Sequence, residues 1–251
     1  MKRELITRFS NELDRDMHVL VHGHDGWPII AFPCQDGMCD NWEGFHMPEV
    51  LGEYIESGRI QLFSVDTVDR ESFSDLDGDK EHRAWMQECY YRYIVNELVP
   101  LVHEVNHTGL LPYVTGFSLG ASHAAIVLFR APQLFAGMLG CSGCYDTPHF
   151  WGGWCNSTLY NNSPVHFLAN MPEDHPWLEE YRKKTIILVV GQGNWERESN
   201  RTIRIMRDIF ERKNIPGWCD LWGFDVDHDW PWWYKQILYH MPHLLAQSAE
   251  H

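Results

Sequence analysis

The stretch Val114-Thr-Gly-Phe-Ser118-Leu-Gly120 joins a short β-branched and aromatic run to the helix-forming segment Ala121 to Arg130. Gly-x-Ser-x-Gly between a strand and a helix reads as a nucleophile elbow, a turn sharp enough to push one serine hydroxyl into the open. Such a turn brings backbone segments too close for a Cβ, so its flanking residues are small, and the serine itself sits in a strained conformation. The helix that follows aims its free N–H groups and the positive end of its dipole at the same place. Five residues of pattern alone say little; the strand before and the helix after give them meaning.

A serine hydroxyl is a poor nucleophile and needs a histidine base oriented by a carboxylate. Chains built on this elbow run in the order Ser, acid, His. Of the 15 histidines, His228 in Trp222-Gly-Phe-Asp-Val-Asp-His228-Asp-Trp230-Pro-Trp-Trp fits that order. It follows an apolar strand-like run, Trp218 to Phe224, and precedes the aromatic helical segment Trp232 to Leu245. His123 falls within the elbow helix and is expected to pack beneath it. His18, His22 and His24 alternate along an N-terminal strand with Asp25-Gly26 as its hairpin turn. His22-x-His24 supplies only two possible metal ligands, so it reads as a solvated strand face. His103, His107, His240 and His243 stand at helical spacing and read as surface.

The acid belongs on a loop after an intervening strand. Thr185-Ile-Ile-Leu-Val-Val190 is apolar throughout, as a buried parallel strand is, and opens into Gly191-Gln-Gly-Asn-Trp195-Glu196-Arg-Glu198. Glu196 is the first candidate and Glu198 the second. Asp225, Asp227 and Asp229 flank His228 as local alternatives, although a sequence neighbour usually points away from the ring and these acids suit the cap of the last helix.

The elbow, Gly191-Gln-Gly-Asn-Trp-Glu196 and Asp-His228-Asp-Trp-Pro-Trp-Trp together resemble the esterase family of the α/β-hydrolase superfamily that also holds S-formylglutathione hydrolase, enterochelin esterase and the mycolyltransferases. The likeness extends through most of the chain, including Phe32-Pro33-Cys-Gln-Asp-Gly37, Tyr93-Ile-Val-Asn-Glu97-Leu-Val-Pro100 and Leu139-Gly-Cys-Ser-Gly143. S-formylglutathione hydrolases carry the acid in Asp-Gln-Gly-x-x-Asp, whereas this chain has Gly191-Gln-Gly-x-x-Glu196, so Glu196 takes that role by position with an arm one methylene longer. The resemblance also implies one oxyanion-hole N–H from Leu119 and another from the loop after Phe32-Pro33, at Cys34 or Gln35. It implies a serine esterase acting through an acyl-enzyme on a small or medium ester. An acyltransferase using the same chemistry, or a non-catalytic ligand-binding protein on the same scaffold, are the alternatives.

Composition agrees. A chain of 251 residues with 44% hydrophobic and 22% charged residues suits one soluble α/β domain with a large core. No apolar run reaches the roughly 20 residues a membrane helix requires, and Met1-Lys-Arg-Glu-Leu lacks a signal-peptide core. Seven scattered cysteines, an odd number, suit a reducing compartment, so a cytoplasmic protein is expected. Cys141-Ser-Gly-Cys144 reads as two buried or half-buried thiols rather than a redox pair. A formal charge of −15 argues against nucleic acid and anionic membranes as partners. Asp75-Leu-Asp77-Gly78-Asp79 has its glycine in the wrong place for a calcium loop and reads as an acidic turn with Asp79 near a helix start. The scheme requires neither metal nor organic cofactor, and oligomeric state is left open.

Strands are expected at Leu5 to Phe9, Met17 to His22, Pro28 to Pro33, Ile60 to Asp66 and Ala136 to Cys141, besides the three already named, with a long helix from about Arg83 to Asn106. Strands alternating with helices imply a mostly parallel twisted sheet with helices on both faces. The stretch from Thr147 to Leu178 is too long for a plain connection and reads as an irregular lid over the carboxyl ends of the strands. Trp151, Trp154, Trp195 and Trp230, four of twelve tryptophans, fall near the expected cleft, either as a wall for an acyl, aryl or sugar group or as packing. Trp218, Trp232 and Trp233 read as packing.

Overall fold

The computed structural model describes residues 1–246. Eight strands form one sheet: β1 (Arg3–Ser10), β2 (Arg15–His22), β3 (Trp27–Phe32), β4 (Ile60–Val65), β5 (Tyr113–Phe117), β6 (Gly137–Cys141), β7 (Thr185–Val190) and β8 (Gly217–Leu221). Their order is β1-β2-β4-β3-β5-β6-β7-β8. The β1–β2 and β2–β4 pairs are antiparallel and every other pair is parallel. With helices on both faces this is the α/β-hydrolase fold.

The apolar runs of the inner strands explain why both faces are covered. Successive side chains of a strand point to opposite faces. Val114, Met138, Ile186 and Leu188 accordingly enter one core with Ile203, Met206 and Phe129. Tyr113, Leu139, Ile187 and Val189 enter another with Trp233, Ile237 and Met241 from the C-terminal helix Trp230–Ala246. The edge strand β1, by contrast, is largely exposed.

After β3 the chain moves to β4 on one side, while β5 lies on the other. The loops after β3 and β5 therefore diverge, and the crevice at such a switch point is where open α/β sheets bind ligands.

Four local expectations are revised. Asp25-Gly26 is not a hairpin turn between paired strands, because β4 inserts between β2 and β3; the hairpin joins β1 to β2 instead. The long helix is interrupted: Lys80–Tyr93 passes through a π-helical turn, Ile94–Leu98, into Val99–Asn106. Pro100 has no N–H to donate and its ring crowds the preceding turn, which the wider turn relieves. β8 stops at Leu221, where the Trp222 N–H donates to Val190 O at 2.8 Å and the chain turns at Gly223.

The Thr147 to Leu178 stretch is not irregular. It holds helices Pro148–Trp151, Ser157–Asn161 and Pro164–Ala169 and the start of Pro176–Arg182. Phe167, Leu168 and Leu178 join the larger core, because a segment with that many apolar residues gains more by burial than by hanging in solvent. Asp79 caps the helix Lys80–Tyr93 by accepting from the His82 N–H at 2.8 Å.

Candidate active site

Ser118 follows β5 and precedes the helix Leu119–Arg130. Its φ of 55° and ψ of −127° lie in a region L-residues avoid, so the strain expected of an elbow is present. The Ser118 N–H is held by Cys141 O at 2.9 Å. The flanking glycines are forced by contact. A Cβ on Gly116 would lie 2.3 Å from the backbone of Gly120, and one on Gly120 would lie 2.4 Å from Phe32 O.

The loops after β7 and β8 are zipped together by two main-chain bonds and one side-chain bond. Gly193 N–H donates to Val226 O at 2.9 Å, His228 N–H to Asn194 O at 3.0 Å, and Asn194 N–H to Asp227 Oδ1 at 2.6 Å. That pairing brings two distant segments into register. His228 Nε2 stands 2.8 Å from Ser118 Oγ and His228 Nδ1 stands 3.1 Å from Glu196 Oε2. A carboxylate only accepts, so Nδ1 carries the proton and Nε2 is left to accept from the serine hydroxyl.

Glu196 is 1% exposed, and its second oxygen accepts from Ser142 Oγ at 2.5 Å and from the Gly191 N–H at 3.3 Å. Ser142 accepts in turn from Trp233 Nε1 at 3.0 Å. The Glu198 carboxylate accepts from Arg201 Nε at 2.9 Å rather than meeting His228. Asp229 stands just before the last helix, its side chain accepting from the Trp230 N–H at 2.8 Å, and Asp227 ties the two loops.

Around Ser118 lies a cleft of about 660 Å³ lined by Gln35, Leu119, Ser142, Cys144, His149, Phe150, Trp195, Arg197, Glu198, Ser199 and His228. Leu119 and Gln35 thus share the cleft with the serine. Cys34 does not line the cleft, and its N–H is already spent on Asn41 Oδ1 at 3.1 Å. Its neighbours Asp36, Gly37 and Cys39 likewise donate to Asp69, Cys34 O and Asp66.

The four tryptophans separate. Trp195 is 88% exposed at the cleft, on a backbone with φ of 65°. Trp151 is buried under Phe73 and beside the Arg83 guanidinium, and Trp154 packs against the same cluster. Trp230 is stacked on Phe45, with ring centroids 4.3 Å apart. None of these three lines the cleft.

Other histidines are more buried than their spacing suggests. His22 is 3% exposed, with Nε2 3.2 Å from Glu43 Oε1, so it is no solvated strand face. His240 is fully buried between Gln236 O and Asp220, not at the surface. Burial pushes both imidazoles below their ordinary value.

All seven cysteines are unpaired. Burial and the neighbouring Asp146 push the Cys144 thiol up to about 12, and burial pushes that of Cys34 to about 12, so neither offers a thiolate at neutral pH. Among the described residues no group of three or more His, Cys, Asp or Glu could hold a metal ion, and no helix is long and apolar enough to cross a membrane.

Ser142 and its Trp233 partner escape sequence reading. The one available signal is a serine directly after the buried apolar strand β6, where burial demands a hydrogen-bond partner.

Fold and geometry define a serine-hydrolase-like cleft, and comparison with known proteins makes the class specific. Residues 10–244 match the family described as "Putative esterase"; the chain belongs to that family and is an esterase. No curated protein matches it. Among solved structures it is similar to a ferulic acid esterase at 16% identity, covering 98% of each chain with a TM-score of 0.75. It is also similar to the fluorophosphonate-binding serine hydrolase FphF of Staphylococcus aureus, at 13% identity over 97% of this chain and 98% of that one, with a TM-score of 0.72. The S-formylglutathione hydrolase of Agrobacterium tumefaciens gives 13% identity over 98% and 94%, with a TM-score of 0.67. At these identities the likeness is one of fold.

Proposed function

We propose that this esterase is a serine carboxylic-ester hydrolase that works through an acyl-enzyme formed on Ser118. The reading is carried by one observation: the imidazole of His228 lies 2.8 Å from Ser118 Oγ on one side and 3.1 Å from Glu196 on the other. Ser118 attacks the ester carbonyl while His228 Nε2 takes its proton. Glu196 holds the Nδ1–H tautomer and stabilises the imidazolium that forms. His228 then returns the proton to the departing alkoxide. Water, deprotonated by the same nitrogen, releases the acid.

The oxyanion of each tetrahedral intermediate is bound by the backbone N–H groups of Leu119 and Gln35, each worth about 3 kcal/mol of barrier. Gln35 takes the place of Cys34 because the latter's N–H is engaged. Trp195, with His149 and Phe150 from the Thr147 to Leu178 segment, forms the aromatic wall against which a small or medium substrate packs. Each role is filled by a side chain or a main-chain N–H. Seven unpaired thiols suit the reducing cytoplasm.

Ser118→Ala is expected to abolish hydrolysis of p-nitrophenyl acetate while leaving the circular dichroism spectrum unchanged; wild-type turnover in that variant would remove the proposal. An acyltransferase with the same site is separated by adding an alcohol or thiol acceptor and asking whether it captures the acyl group faster than water.

A further inference from the structure

The two proposed oxyanion donors come from different elements, the loop after β3 and the helix after β5, which pack directly where Gly120 meets Phe32 O and are tied again by a third element. Asp69, in the short turn Asp69–Glu71 that follows β4, touches both. One carboxylate oxygen accepts from the Asp36 N–H at 3.1 Å, the residue next to Gln35. The other accepts from His123 Nε2 at 2.8 Å, on the elbow helix that Leu119 begins.

Asp69 and His123 are each 1% exposed. The imidazole is enclosed by Phe32, Phe73 and Tyr90, with ring centroids 6.0, 5.5 and 5.1 Å away. The same stretch of chain grips the loop twice more. Asp66 accepts from the Cys39 N–H at 2.9 Å, and the Thr67 hydroxyl donates to Gly37 O at 2.9 Å. Asp36 itself has φ of 61°, a conformation that persists in a non-glycine residue only when its surroundings hold it.

A buried carboxylate is costly to keep, and well-packed apolar groups often serve stability as well as a buried ion pair does. Its retention here, bonded to two elements that carry the two donors, points to placement. Resting on the esterase reading above, we propose that Asp69, seated by His123, is a positioning residue that sets the spacing of the Gln35 and Leu119 N–H groups.

The test compares a p-nitrophenyl oxo ester with the corresponding thiono ester, whose sulfur accepts hydrogen bonds weakly and so reports on the oxyanion hole. Misplacing a reacting geometry by about 1 Å costs on the order of 100-fold. Asp69→Ala, shown to be folded at the assay temperature, is therefore expected to lose about 10- to 100-fold in kcat with KM within about threefold of wild type, and to narrow the oxo-to-thiono ratio by a similar factor. Asp69→Asn, whose carboxamide oxygen still accepts from Asp36 and whose amide can donate to the other His123 tautomer, is expected to restore most of both. Where Asp69→Ala does not fold, His123→Phe carries the same test, cutting the tie at the helix while filling the aromatic box.

A folded variant of either kind with a wild-type ratio would overturn the positioning role while leaving Ser118 chemistry intact. A wild-type enzyme with no more oxo preference than hydroxide in solution would instead remove the oxyanion hole, and this proposal with it.

Discussion

The two flanks of the elbow are built from different materials. On one side stand His228 and Glu196, side chains held by further side chains, Ser142 and Trp233. On the other stand Gln35 and Leu119, whose identities matter little because the main chain would do the work. A flank made of side chains writes itself into the sequence as residue types. A flank made of backbone N–H groups leaves a trace only in the contacts that fix the loop, here the bonds from Asp66, Thr67 and Asp69.

The largest effect that would break this contrast is Glu196→Gln. It is expected to lower kcat by about 10³- to 10⁴-fold because the amide favours the wrong imidazole tautomer. Glu198→Gln, bonded to Arg201 rather than His228, should stay within about threefold. Equal losses in the two variants would return the acid to an open question, and the reverse order would move it to Glu198.

On the backbone flank the informative pair is Gln35→Pro against Gln35→Ala. Proline deletes the N–H and is expected to cost about 100-fold in kcat, whereas alanine keeps it and should cost little. A comparable loss in both would place the work in the Gln35 side chain and erase the difference between the flanks.

The smallest effect concerns stability, not turnover. His22 and His240 are held below their ordinary pKa chiefly by burial, so the native state resists protonation that the unfolded chain accepts. Stability from this source is complete above pH about 6.5 and declines as pH falls below it. A thermal melt series from pH 7.5 to 5.5 should show falling Tm, less steeply in His240→Gln. A pH-independent Tm would show that neither ring is kept neutral by the fold.

Much of this was legible beforehand for physical reasons. The apolar runs at Tyr113–Phe117, Gly137–Cys141 and Thr185–Val190 report strands buried on both faces, and Gly116 and Gly120 report a turn with no room for a Cβ. Chain order among Ser118, Glu196 and His228 follows from which strand each loop leaves. Trp151 and Trp230 were not separable from Trp195, because an indole stabilises a core and a cleft wall by the same burial of apolar area. His22 and His240 could not be told from surface residues, because their partners Glu43 and Asp220 lie 21 and 20 positions away.

Amino-acid order alone marked the strands and the elbow turn, since periodicity and steric exclusion act between near neighbours. Folding in three dimensions decided the rest: which backbone N–H remains unspent beside Ser118, which tryptophan faces the cleft, and which buried carboxylate bridges two elements. Those outcomes depend on hydrogen bonds between segments tens of residues apart, and a hydrogen-bond donor carries no mark in the sequence of whether its partner has already been found.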